Sequence, residues 1–241
     1  MTTGAAVDIF SLPRVAAIAT MPSRAETFQK VLAAIRPQVD QVFVYLDGYD
    51  RPPAFLHGMD QVIVQRAEDQ GDLHASSRFL CLQQLSTPAV VAMVDDDIIY
   101  PANYVERLVG VLAEARGQAV VGVHGRIFVP PHLSYVTDAM PLHFGLGLSR
   151  HCSVHEVGVG TCAFISSVLN IDPRRWDRCD MNDITIAVEA QRRGLPRIAI
   201  AREANWLQAY AQEQADSLWA KTVKDDTEQS RRMRALLGLY A

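Results

Sequence analysis

Short apolar runs alternate with stretches of helical period along this chain. Residues 14–19 read as a first strand, bounded by Pro13 and by Met21-Pro22-Ser23. Residues 25–36 then carry Phe28, Val31, Leu32 and Ile35 at helical spacing, with Pro37 beyond the end. A second strand, 41–46, runs into the turn-like Asp47-Gly48-Tyr49-Asp50-Arg51-Pro52-Pro53, and 61–65 forms a short third strand. Residues 73–85 read as a helix broken before Pro88, leading to the apolar run Ala89-Val90-Val91-Ala92-Met93-Val94.

Beyond Pro101 the pattern predicts a helix over 103–116 and a strand over 119–123. Pro130-Pro131 opens a loop-rich stretch as far as about Glu156. A strand over 157–165, a helix over 182–193 stopped by Gly194, and a strand over 197–201 follow. Alternating strand and helix is the signature of parallel βαβ units, so the fold class is α/β with ligand loops at the strands' C-terminal ends. The expected organisation is one domain: a nucleotide-donor half over about 13–100, an acceptor half over about 101–210, and a helical tail over 211–241.

Composition narrows the function classes. With 49% hydrophobic and 21% charged residues in 241, the chain reads as an ordinary globular enzyme. A formal net charge of -4 gives no electrostatic reason to expect nucleic acid. Cys81, Cys152, Cys162 and Cys179 form no C-x-x-C pair, so reduced thiols in a cytosolic protein are expected. Residues 15–21 are too short to span a bilayer and follow no basic leader, which places any membrane or polysaccharide role on the cytoplasmic side. The basic, apolar ending after Lys221 could touch a membrane surface or a partner, but a terminal helix laid on its own domain is the favoured reading.

The main chemical clue is Asp95-Asp96-Asp97, followed by Ile98-Ile99-Tyr100-Pro101. If the strand continues, Asp95 and Asp97 share one face and Asp96 points away. Two carboxylates fixed together repel unless a cation lies between them, and a hard divalent ion takes oxygen ligands together with water and phosphate oxygens. Such an arrangement would let a protein hold a nucleotide diphosphate. Helix capping is the plainer alternative for one Asp, and less so for three in a row. The Asp-x-Asp of haloacid-dehalogenase-type phosphatases is a weaker match, because it falls near the chain start and is followed by small or polar residues.

Several stretches in order carry a resemblance. They are Ala17-Ile18-Ala19-Thr20-Met21-Pro22-Ser23-Arg24, Val44-Tyr45-Leu46-Asp47-Gly48-Tyr49, Gly71-Asp72 ahead of Arg78-Phe79, Asp95-Asp96-Asp97-Ile98-Ile99-Tyr100-Pro101, His124-Gly125, Val159-Gly160-Thr161 and Asp180-Met181-Asn182-Asp183-Ile184. With them the chain resembles nucleotide-sugar-dependent glycosyltransferases of the GT-A fold, closest to the bacterial group that includes the N-acetylglucosaminyltransferase of heparosan capsule synthesis. That resemblance implies a UDP-sugar donor (GlcNAc in those relatives), a saccharide or small-molecule acceptor, Mn²⁺ or Mg²⁺, and polysaccharide biosynthesis.

The same resemblance implies residue roles. Thr20 and Arg24, Asp47, and Gly71 with Asp72 would surround the nucleotide. Arg78 would meet a phosphate where relatives often have Lys. Asp95 and Asp96 would face the nucleotide sugar, Asp95 holding the ribose or a metal-bound water and Asp97 binding the metal directly. His124 would contact the donor sugar. Read without the family, Arg78 would be a helix-surface salt bridge and Asp47 a turn residue. Many relatives add a metal ligand, often His, from the C-terminal region, but here the seven histidines end at His155.

For inversion at the sugar, a carboxylate must take the acceptor hydroxyl's proton. Asp183 is the first candidate and Asp180 the second, both near the start of a helix and on one side of it. The rival reading is a helix N-cap. For retention the leaving diphosphate can take the proton, and the alpha linkage made by heparosan-type relatives implies retention. His155 and Glu156 could line the acceptor side, but a surface loop pair is the favoured reading. Two rival functions share the fold. A sugar-nucleotide nucleotidyltransferase would want glycines after the first strand, which residues 20–24 lack, and an inactive binding protein would have little use for an intact aspartate cluster.

Overall fold

A computed structural model describes residues 8–71, 73–129, 134–210 and 218–238. Its frame is an eight-stranded sheet. In chain order the strands of the molecule are β1 (Arg14–Thr20), β2 (Gln41–Leu46), β3 (Val62–Arg66), β4 (Val90–Val94), β5 (Ile98–Ile99), β6 (Val120–Gly122), β7 (Gly125–Phe128), β8 (Ala139–Leu142), β9 (Cys152–Ser153), β10 (Glu156–Val157), β11 (Thr161–Ile165), β12 (Arg197–Ala199) and β13 (Gln208–Ala209). The large sheet runs β3-β2-β1-β4-β11-β6-β12-β9, with smaller sheets β10-β7-β8 and β13-β5.

Pairing is parallel through β3, β2, β1 and β4, and again between β6 and β12. Strand β11 is wedged antiparallel between β4 and β6, with Thr161 opposite Val94. The C-terminal ends of the parallel strands therefore share one edge, and the N-terminal end of β11 arrives at that same edge.

Both faces of the sheet are covered, which explains the unbroken apolar runs. Ala16, Ile18, Val90, Ala92 and Val94 pack on one face with helices α1 (Ala25–Ile35) and α2 (Tyr104–Glu114). Ala17, Phe43, Val91 and Met93 pack on the other with the segment His74–Gln83 and helix α3 (Asn182–Arg192). The helix expected over 73–85 is a 3₁₀ helix over His74–Gln83. Its residues from Ser76 to Leu82 are all buried, so packing on every side, not an amphipathic stripe, holds it in this tighter form.

Two other expectations change. The strand over 157–165 is two strands, because Gly158-Val159-Gly160 turns the chain between β10 and β11. The loop-rich stretch before it contains β8 and β9. In the tail, α4 (Leu218–Lys224) precedes α5 (Thr227–Leu236). Met233 and Leu236 of α5 join Phe128, Tyr135, Ile184 and Ala187 in a third apolar cluster, so the tail does lie against its own domain. All four cysteines are free thiols. Among the described residues no helix is long and apolar enough to cross a membrane.

Candidate functional site

Strand β4 ends at Val94, and the three aspartates form the turn that follows it. The strand alternation expected to put Asp95 and Asp97 on one face therefore stops one residue too early. Asp95 instead turns toward the second half of the chain. Its backbone N–H donates to the Tyr100 hydroxyl at 2.8 Å, and that hydroxyl donates to the Gly160 carbonyl at 2.5 Å. Its Oδ1 accepts from Arg78 Nη1 at 2.7 Å.

Arg78 is buried, not a surface residue, because the 3₁₀ segment that carries it is packed beneath the sheet's edge. It also donates to the Val94 carbonyl and the Ala75 carbonyl, each at 3.0 Å. Burial disfavours the guanidinium charge, but the Asp95 carboxylate, with Asp96 and Tyr100 adding, holds Arg78 above its ordinary value. Arg78 thus supplies Asp95 with a counter-charge that belongs to the protein.

Asp96 faces the ends of β1 and β2. Burial pushes its carboxyl up to about 7, opposed by the Thr20 hydroxyl and reinforced by Asp97 and Asp95. Nearby, Asp47 N–H donates to the Thr20 carbonyl at 2.8 Å, and the Tyr49 hydroxyl donates to the Met21 carbonyl at 2.9 Å. Asp47 meets His74 Nδ1 at 3.1 Å. Arg24 is buried where the 3₁₀ turn Pro22–Arg24 enters α1, and Gly71 takes a φ of +95°. Asp72 lies outside the described residues. Thr20, Asp47 and Asp96 are thus gathered at one corner, while Asp95 looks into a separate cavity; the aspartate turn joins the two.

That cavity holds about 590 Å³. Its walls include Arg78, Asp95, His124, Arg126, Asp180 and Asp183, together with the aromatic rings of Tyr135, Phe144 and Trp219. Asp183 sits in the first turn of α3, yet it caps nothing on its own helix. The N-cap position is Met181, and Asp183 Oδ1 accepts the Val159 N–H at 2.8 Å from the turn before β11. Burial raises its carboxyl to about 6, with the Val159 N–H opposing and the Asp95 charge adding. Asp180 precedes the helix and is gripped by the Arg178 fork at 2.9 and 2.6 Å, which holds it below the usual carboxylate range. Of the two, Asp183 is the better proton acceptor near neutral pH.

His124 lies between β6 and β7 and lines the cavity. Burial, with the His143, Arg126 and Arg202 charges adding, lowers its pKa to about 3, so the ring is neutral. The expected surface pair His155-Glu156 divides. His155 Nδ1 accepts the Phe128 N–H at 2.9 Å, and Glu156 is completely buried. Its Oε1 accepts from the Tyr135 hydroxyl at 2.8 Å, and burial pushes the carboxyl up to about 8. A strand pairing of β10 with β7 places it opposite Arg126, away from solvent.

Arg126, Tyr135 and Trp219 are the residues of this site that sequence reasoning missed, while Glu156, taken for a surface residue, lies buried behind Tyr135 and opposite Arg126. One signal was present: Arg126 is a single charge inside the apolar run Gly125-Arg126-Ile127-Phe128-Val129. Among the described residues no three His, Cys, Asp or Glu side chains converge as a metal cage. The aspartate turn offers oxygen donors alone, which suits a hard cation whose remaining positions come from its ligand and water.

No family model matches the chain, and neither does any curated protein. Among solved structures it is similar to glucosyl-3-phosphoglycerate synthase from Mycobacterium tuberculosis, in complex with Mn²⁺, UDP-glucose and phosphoglyceric acid. Identity is 19% and the TM-score 0.39, over 47% of this chain and 44% of that one. The likeness takes in less than half of either molecule.

Proposed function

We propose that the protein is a metal-dependent glycosyltransferase of the GT-A type, moving a sugar from a UDP-sugar to a hydroxyl of a saccharide or small molecule. One observation carries the reading: a turn of three aspartates at a parallel strand's C-terminal end joins a polar corner to a cavity holding a buried carboxylate. The corner of Thr20, Asp47 and Asp96, with Arg24, Gly71 and Asp72, would take the nucleotide. Asp97, with Asp95, would hold Mn²⁺ or Mg²⁺, which when bound neutralises the departing diphosphate. Arg78 fixes Asp95 and adds positive charge behind it. His124, neutral, would present a hydrogen-bonding ring to the donor sugar.

Asp183, with a carboxyl near 6, would take the acceptor hydroxyl's proton, and Asp180 would stay a positioning carboxylate. GlcNAc as the sugar, a role in polysaccharide assembly and a cytoplasmic location are the finer parts of this reading, and they rest on the family resemblance. Calorimetry with UDP, UTP and a panel of UDP-sugars, with and without Mn²⁺, tests it. Metal-dependent UDP binding that Asp97→Ala abolishes is the expected result. A preference for UTP with sugar phosphate, or UDP binding indifferent to metal and to Asp97, would overturn it.

A further inference from the structure

A buried guanidinium ordinarily has a counter-ion or a full set of acceptors. Arg126 on β7 makes no close ion pair and no side-chain hydrogen bond among the described residues, although its charge reaches the Asp183 carboxylate. It is 6% exposed, and its Nη1 is buried without a hydrogen-bond partner. What surrounds it is aromatic: the guanidinium carbon lies 4.4 Å from the Tyr135 ring centroid, 4.9 Å from that of Trp219 and 5.7 Å from that of Phe128. Rings favour a cation there but satisfy none of its N–H groups.

Its cross-strand neighbour does not neutralise it. Glu156 directs Oε1 to the Tyr135 hydroxyl, and with a pKa of about 8 it keeps its proton at neutral pH. His124 is neutral as well. Asp183 faces the same cavity and is itself engaged by the Val159 N–H. Arg126 therefore lines a cavity of about 590 Å³ while its Nη1 keeps hydrogen-bonding capacity unspent. A planar fork in that condition matches a carboxylate or phosphate, which it can bind through two parallel bonds. Beside the fork, the half-exposed Trp219 offers a flat face for the body of the ligand.

We infer that Arg126 is the specificity-determining residue for an acidic acceptor. A carboxylate or phosphate of the acceptor binds its fork between Tyr135 and Trp219, with the reacting hydroxyl toward Asp183. Calling the ligand an acceptor rests on the glycosyltransferase reading; the anion site itself does not.

The test titrates the full chain with glucuronate, glucose 6-phosphate and glucose by calorimetry, alongside UDP with Mn²⁺. Both acidic sugars are expected to bind at least about tenfold more tightly than glucose, as charge-assisted bidentate pairing requires. Whichever of the two binds better identifies the oxyanion. Arg126→Gln should remove the preference, and Arg126→Lys, which keeps the charge and loses the fork, should retain part of it. If Arg126→Gln does not fold, Trp219→Ala, on an exposed ring, should weaken both acidic sugars roughly fivefold. Equal affinity for all three sugars, no binding of any, or a preference untouched by these variants would overturn the inference. If UDP fails to bind while the Arg126-dependent preference persists, the transferase reading falls and the anion site stands.

Discussion

The Asp95 carboxylate occupies the space that a side chain on residue 160 would fill. A Cβ built on Gly160 would stand 1.8 Å from Asp95 Oδ2 and 2.0 Å from its Cγ. The Gly160 carbonyl meanwhile accepts from the Tyr100 hydroxyl that in turn receives the Asp95 N–H. Glycine is needed here for close approach, not for an unusual φ. Gly160→Ala should therefore drive Asp95 off Arg78 and lower transfer by at least about tenfold, as displacement of a site group by an ångström does. Retention of full activity by this variant would show that the Asp95 position is not critical.

Removing Arg78 leaves Asp95 without its counter-charge. A fully buried pair broken from one side costs ~3–5 kcal/mol, and Asp95, partly exposed, brings that down to about 2–3 kcal/mol for Arg78→Met. Thermal melts should fall by several degrees, at roughly 2–4 °C per kcal/mol for a chain of this size. Arg78→Lys should recover part of both stability and donor binding, since a point charge persists but the second contact to the Val94 carbonyl is lost.

Asp183→Asn should leave UDP binding intact and reduce transfer by about 10²–10⁴-fold, the usual contribution of a positioned base. Because the base must be unprotonated, the wild-type rate should climb with pH and reach half its plateau near pH 6. Normal turnover by Asp183→Asn would reassign the proton to another acceptor, the leaving diphosphate being the first.

Glu156 gives the fold its own pH dependence. Its folded value of about 8 lies above the ordinary 4.5, so the native state binds the proton more tightly than the unfolded chain does. The associated stability is complete below about pH 4.5 and is lost as pH rises toward 8, at ~1.4 kcal/mol per pH unit and on the order of a few kcal/mol in all. Glu156→Gln keeps an acceptor for the Tyr135 hydroxyl and carries no charge. It should flatten this decline and melt higher than wild type at pH 8; equal slopes would mean that Glu156 ionises freely.

The tail supports the cavity from behind. Met233 is fully buried against Phe128, Tyr135 and Ile184, and the last two line the cavity. Met233→Ala should cost about 2–4 kcal/mol and weaken acceptor binding along with stability. A variant that melts normally would show the tail to be dispensable.

Much of this architecture could be read from the chain. Residues 14–19 and 41–46 announced themselves because apolar runs bounded by Pro13 and by the turn at Asp47 fit strands buried on both faces. Phe28, Val31, Leu32 and Ile35 marked α1 by their period. Asp95 and Asp183 were legible as acidic groups beside apolar segments, and both reach the same cavity. What escaped was tertiary. Nothing local shows that Arg78 would be buried against Asp95, or that Glu156 would cross to Arg126 through a short pairing made between segments some 30 residues apart. Period-based reading also cannot tell a 3₁₀ helix from an α-helix when every face is covered, as over residues 76–82.

The reversed course of β11 has a consequence for how such a chain can diversify. Because its first residues are delivered to the end of β4, the turn at 158–160 and the aspartate turn interlock, and each is shaped to the other. The two regions are therefore not exchangeable modules. A recombinant that inherits one from a foreign parent must bring a hydrogen at position 160, or else find another place for the acid it displaces.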